Sequence, residues 1–116
     1  RNLEKRGEMA VWTIIKYKPL EGCIDAFLEA ARRLEDNHPD KSTRFGVWTK
    51  TEDDQVIQIV ARESVEKLID NQDYGLDWLE SVDHLLEKDN NGSRTEALSA
   101  YEVEDLRRTA GKNFMF

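Results

Sequence analysis

The run "RFGVWTKTEDDQVIQIVARES", residues 44–64, constrains the fold more than any other stretch of the chain. Two β-rich segments flank a polar "TEDD" (51–54), the pattern of a hairpin. Side chains alternate across a strand, so a symmetric turn pairs Lys50 with Gln55, Trp48 with Ile57 and Gly46 with Ile59. One face then carries Gly46, Trp48, Ile57, Ile59 and Ala61. The other carries Phe45, Val47, Thr49, Val56, Gln58 and Val60. A different turn length re-pairs the strands yet leaves each of them apolar on both sides. Such a hairpin needs cover in front and behind.

The remaining segments supply one layer of that cover. "AVWTIIKYK" (10–18) is β-branched and aromatic and is stopped by Pro19, which makes it the first strand. It offers Val11, Ile15 and Tyr17 on one side, Trp12 and Ile14 on the other. In "EGCIDAFLEAARRLEDNHPD" the period changes: Ile24, Phe27, Leu28, Ala31 and Leu34 share one helical stripe, and the helix must end before Pro39. Ser64 offers an N-cap to a helix beginning at Val65, and "DNQDYG" (70–75) favours a break or kink. Beyond it Trp78, Leu79, Val82, Leu85 and Leu86 form a second stripe, ended by "EKDNNGS", where Gly92 suits a positive φ. "ALSAYEVE" (97–104) is the last strand. The order β-α-β-β-α-β predicts an α+β, ferredoxin-like fold with a four-stranded antiparallel sheet and both helices on one face. Its domain spans residues 9–104, between an N-terminal extension (1–8) and a C-terminal tail (105–116).

The chain has 116 residues, the size of one domain, with 39% hydrophobic and 35% charged residues and a net charge of −7. That charge argues against nucleic acid or an anionic membrane as partner, since both require a basic surface. No apolar run approaches the roughly 20 residues of a membrane span, and no signal-peptide pattern precedes the first strand. Cys23 stands alone, so no intrachain disulfide and no thiolate zinc cluster can form; it reads as a small buried residue. A cytoplasmic protein is expected.

Two helices cover one face of the sheet and leave the other apolar and bare. Exposed patches beyond a few hundred Å² usually mark an interface. A second copy closing face to face, an isologous homodimer, is the expected cover. The rival is the tail folding back, with Phe114, Met115 and Phe116 as anchors.

The element order, the two-faced sheet and the stretch "IVARESVEKLID" entering a kinked helix resemble the dimeric α+β barrel superfamily. Within it the chain is most similar to the antibiotic-biosynthesis-monooxygenase-like group, over about residues 9 to 104. The resemblance implies a homodimer whose sheets form a barrel, with a small-molecule pocket between sheet and helices. Some members of that group act on polycyclic aromatics without a metal, others bind or degrade haem, and many have no known activity. Here Arg62 stands where members often carry an aromatic, and Asp77-Trp78 where they often carry a His followed by an aromatic. Haem-degrading relatives use a helix-borne His as axial ligand, but the only candidate on the second helix here, His84, falls about 200° from Val82 and should face solvent. No haem, cofactor or metal is therefore expected.

Trp12, Trp48 and Trp78 are candidates to line an aromatic pocket, although aromatics more often anchor cores and interfaces. Tyr17 and Tyr101 can present a hydroxyl from a strand. Asp77, if the kink turns it inward beside Trp78, is a candidate general base; on a regular helix it lies about 140° from the stripe centre and is solvated. Arg62 and Arg44 can hold a carboxylate or phenolate through paired donors, or simply pair with the abundant acids. His38, in a helix-terminal loop, reads as a solvated or carbonyl-bonded residue, and no spacing brings His38 or His84 into a metal set. Two functions follow as expectations. One is a cofactor-free, monooxygenase-like enzyme acting on an aromatic or quinone-like compound. The other is a non-catalytic dimer that binds a metabolite or a protein.

Overall fold

The structure, a computed structural model, describes residues 10–39 and 45–108. Four strands, β1 (Val11–Tyr17), β2 (Phe45–Lys50), β3 (Val56–Arg62) and β4 (Thr95–Tyr101), form one antiparallel sheet in the order β2-β3-β1-β4. Helix α1 (Ile24–Asn37) connects β1 to β2, while α2 (Val65–Asp70) and α3 (Gln72–Val82) connect β3 to β4. This is the ferredoxin-like α+β fold expected from the element order, with its helices on one face of the sheet. Residues 1–8, Arg44 and the anchors Phe114, Met115 and Phe116 lie outside the described residues.

The hairpin register differs from the symmetric pairing by one residue. Lys50 faces Val56, Trp48 faces Gln58 and Gly46 faces Val60. The cause lies in the turn. Thr51 N–H bonds to Gln55 C=O at 2.9 Å, Gln55 N–H bonds to Thr51 Oγ1 at 3.0 Å, and Asp54 adopts φ 63°. These bonds pull Gln55 out of the ladder and into the connection. A one-residue slip exchanges the faces of a strand. The helix-facing side of the hairpin is therefore Gly46, Trp48, Lys50, Val56, Gln58 and Val60. The other side is Phe45, Val47, Thr49, Ile57, Ile59 and Ala61.

Helix α1 buries Phe27, Ala30, Ala31 and Leu34, while Ile24 and Leu28 are half-buried against the same core. His38, next to Pro39, takes an extended conformation that ends the helix. Ser64 caps α2 by accepting from Lys67 N–H at 3.3 Å. The expected break within residues 70–75 falls at Asn71. The Asn71 side chain donates to Lys67 C=O at 2.8 Å, closing α2, and its own C=O accepts from Gly75 N–H at 3.2 Å, opening α3. Gly75 is an ordinary helical residue. Val82 ends α3, a short 3-10 turn follows over Asp83–Leu85, and Leu86 bridges to Pro19. Cys23 is half-buried, not buried, at the start of α1.

The core gathers at the end of the sheet where β1 finishes: Tyr17, Phe27, Val56, Val82 and Leu86 are buried together. Two backbone bonds of 2.8 Å, Leu20 N–H to Leu85 C=O and Glu87 N–H to Lys18 C=O, tie the segments after β1 and α3 across that end. On the face away from the helices, Val47, Ile59, Ile14 and Leu98 form one row across all four strands. Ile14 is 41% and Leu98 60% exposed. At one end of that face the Trp12 indole packs on Phe45 and donates to Glu102 at 2.8 Å, and Glu102 pairs with Arg107. Among the described residues, no helix is long and apolar enough to cross a membrane.

Candidate functional site

A cavity of about 660 Å³ lies between the sheet and the helices. Its floor is the helix-facing side of the strands: Ile15 and Tyr17 from β1, Gln58 and Val60 from β3, Thr95 and Ala97 from β4. Its walls are Leu34, Glu35 and His38 at the end of α1 and Leu68, Asn71, Leu76 and Trp78 from α2 and α3. Small side chains make the room. Gly46, Thr13 and Ala97 stand on the sheet where larger residues would fill it, and Gly75 does the same on α3.

An aromatic tetrad backs the cavity, with Tyr17 and Trp78 in the lining and Phe27 and Trp48 behind them. Tyr17 stacks on Trp48 with centroids 5.6 Å apart and meets Trp78 edge-on at 6.1 Å, while Phe27 touches all three. Each tryptophan is pinned by its N–H: Trp78 donates to Ala30 C=O at 3.1 Å and Trp48 to Glu35 at 2.9 Å. Such anchoring holds the rings at fixed angles, so the wall is preformed.

Polar groups are few. Tyr17 donates its hydroxyl to Gln58 Oε1 at 2.7 Å, and burial, with Glu35 adding to it, pushes the phenol pKa well above its ordinary value. The phenol therefore stays protonated and is a donor. Gln58 is 7% and Asn71 8% exposed. Thr13 shares a 2.8 Å hydrogen bond with Ser99. After the end of α1, His38 packs edge-on against Tyr74 with ring centroids 4.6 Å apart, and Arg62, the last residue of β3, is also in the lining. Among the described residues, no group of three or more His, Cys, Asp or Glu is placed to hold a metal.

The residues singled out from the sequence are dispersed. Trp78 and Arg62 line the cavity. Trp48 is in the tetrad behind the wall. Trp12 is on the opposite face of the sheet, with Phe45. Asp77 is exposed on the outer side of α3, and His84 is exposed as expected. Gln58, His38, Tyr74 and Asn71 went unmarked as site residues. Gln58 alone carried a signal, since alternation places a polar amide between Val56 and Val60 on an apolar face.

No family model matches the chain, and no curated protein matches it. Among solved structures, it is similar to a conserved protein from Methanosarcina mazei Go1. The two are 12% identical over 84% of this chain and 97% of that one, with a TM-score of 0.66. It is also similar to a NIPSNAP family protein with unknown function from Agrobacterium tumefaciens str. C58. There the identity is 14% over 82% of this chain and 89% of that one, with a TM-score of 0.55. Likeness at these identities establishes the fold alone, a ferredoxin-like domain with a four-stranded antiparallel sheet.

Proposed function

We propose that the protein is a homodimer of the dimeric α+β barrel type, in the antibiotic-biosynthesis-monooxygenase-like group. In this reading it takes an aromatic or quinone-like compound into the cavity between sheet and helices and acts on it without a cofactor. The observation that carries the reading is His38, held against Tyr74 and lining the same cavity as Trp78. A neutral imidazole can take a proton from an acidic C–H or O–H of a bound ring, leaving an electron-rich carbon for dioxygen to meet. The base is then His38, which lines the cavity, rather than Asp77, which is exposed. Arg62, also in the lining, offers paired donors to a carboxylate or phenolate. The second copy covers the Val47, Ile59, Ile14 and Leu98 row.

A thermal-shift panel of polycyclic phenols and ketones, followed by oxygen uptake with those that bind, tests the reading. Binding should raise the melting temperature. Oxygen uptake should fall by about 10²-fold or more in His38→Gln, the usual contribution of general-base catalysis. Binding without uptake favours a non-catalytic metabolite-binding dimer. A panel in which nothing binds removes the small-molecule reading.

A further inference from the structure

We propose that Gln58 is a ligand-binding residue whose side-chain amide donates a hydrogen bond to a ring-conjugated carbonyl oxygen of a planar ligand lodged beside Trp78. The proposal rests on the cavity being a small-molecule site and names the chemistry that site selects. Gln58 stands in the middle of β3, more than nine-tenths buried, and lines the cavity. Its Oε1 is occupied by the Tyr17 hydroxyl at 2.7 Å. With the Tyr17 hydroxyl donating to that oxygen, the Nε2 end of the amide is the one left for other partners.

The Gln58 Nε2 group, with two N–H donors, is left without an acceptor among the described residues. Its same-face neighbours supply none: Ile15 stands opposite on β1, Val60 is two residues on, and Ala97 lies beyond Ile15. A ligand that displaces water from these N–H groups must offer an acceptor in its place or forfeit their hydrogen bonds, so whatever fills the cavity is selected for an acceptor at this point. Its cross-strand neighbours, Ile15 and Trp48, are aliphatic and aromatic, which suits a flat ring. A carbonyl oxygen carries two lone pairs, no charge and no hydrogen, and matches a pair of neutral donors. A ligand presenting only donors there would be rejected.

The test compares 1-tetralone with tetralin, which have the same ring frame and differ in one oxygen, by calorimetry on the full chain. The ketone should bind about threefold to tenfold more tightly, the range of a neutral hydrogen bond. Its C=O stretch, read by isotope-edited infrared, should move to lower frequency on binding. Both effects should vanish in Gln58→Leu. They should shrink in Tyr17→Phe, which releases the amide while keeping the aromatic ring in the cavity floor. Equal binding of ketone and hydrocarbon by the wild-type protein, or an unmoved stretch, overturns the role of Gln58 while leaving the cavity a binding site. Binding of neither compound overturns the cavity reading together with this one. If Gln58→Leu does not fold, the wild-type affinity ratio and the stretch decide.

Discussion

Tyr17 joins two parts of the molecule: its ring packs in the aromatic tetrad and its hydroxyl orients Gln58. Its ionisation also sets an alkaline limit. The folded phenol holds its proton well above the ordinary value of 10.0, so the unfolded chain ionises first. Stability from this group is fully present below pH 10 and drains away as pH rises beyond it. Chemical denaturation between pH 8 and 11 should show the wild-type protein losing stability more steeply than Tyr17→Phe. Equal slopes would mean that the phenol is solvated. Phe27, fully buried and touching the other three rings, should cost about 3–5 kcal/mol when cut to alanine. That is a large share of a small domain's stability, measurable as a lower denaturation midpoint at unchanged slope.

The elements show what a single chain discloses and what it conceals. The β-α-β-β-α-β order was legible because period and punctuation agree: β-branched runs alternate with stripes such as Phe27, Ala31 and Leu34, and Pro19 and Pro39 mark the stops. The hairpin register was not, because it turns on side-chain bonds of Thr51 and on Asp54 entering the left-handed region. That slip matters for the site. It moves Gln58 opposite Trp48 and Ile57 onto the other side of the sheet. The break within residues 70–75 was legible, whereas its exact seat at Asn71 depends on a side-chain bond across four residues. His38 and Tyr74 meet only in three dimensions, and no spacing announces them. Helix α2 has six residues and leans on its cap. Ser64→Ala should therefore cost about 1 kcal/mol and raise amide exchange across residues 65–70. Because Leu68 and Asn71 line the cavity, ligand affinity should fall with it.

For the whole molecule, the decisive question is what meets the row of Val47, Ile59, Ile14 and Leu98. A second copy predicts a solution mass twice the 13.5 kDa of one chain. Each copy carries a net charge of −7, so added salt should tighten the pair by screening their repulsion. Leu98→Glu should return the mass to one chain. In an isolated chain Leu98 is already 60% exposed, so the substitution should change that chain's own stability by no more than about 0.5 kcal/mol. A wild-type protein running at 13.5 kDa at high concentration would end the dimer reading.

The bridge between Pro19 and Leu86, with Tyr17 and Phe27 in the same core, ties the molecule together at one end. Tyr17 thereby joins that core to the cavity floor, where it and Gln58 are buried while Leu76, across the lining, is 55% exposed. Substituents trailing past Leu76 should therefore matter far less to a guest than any added against Tyr17 and Gln58.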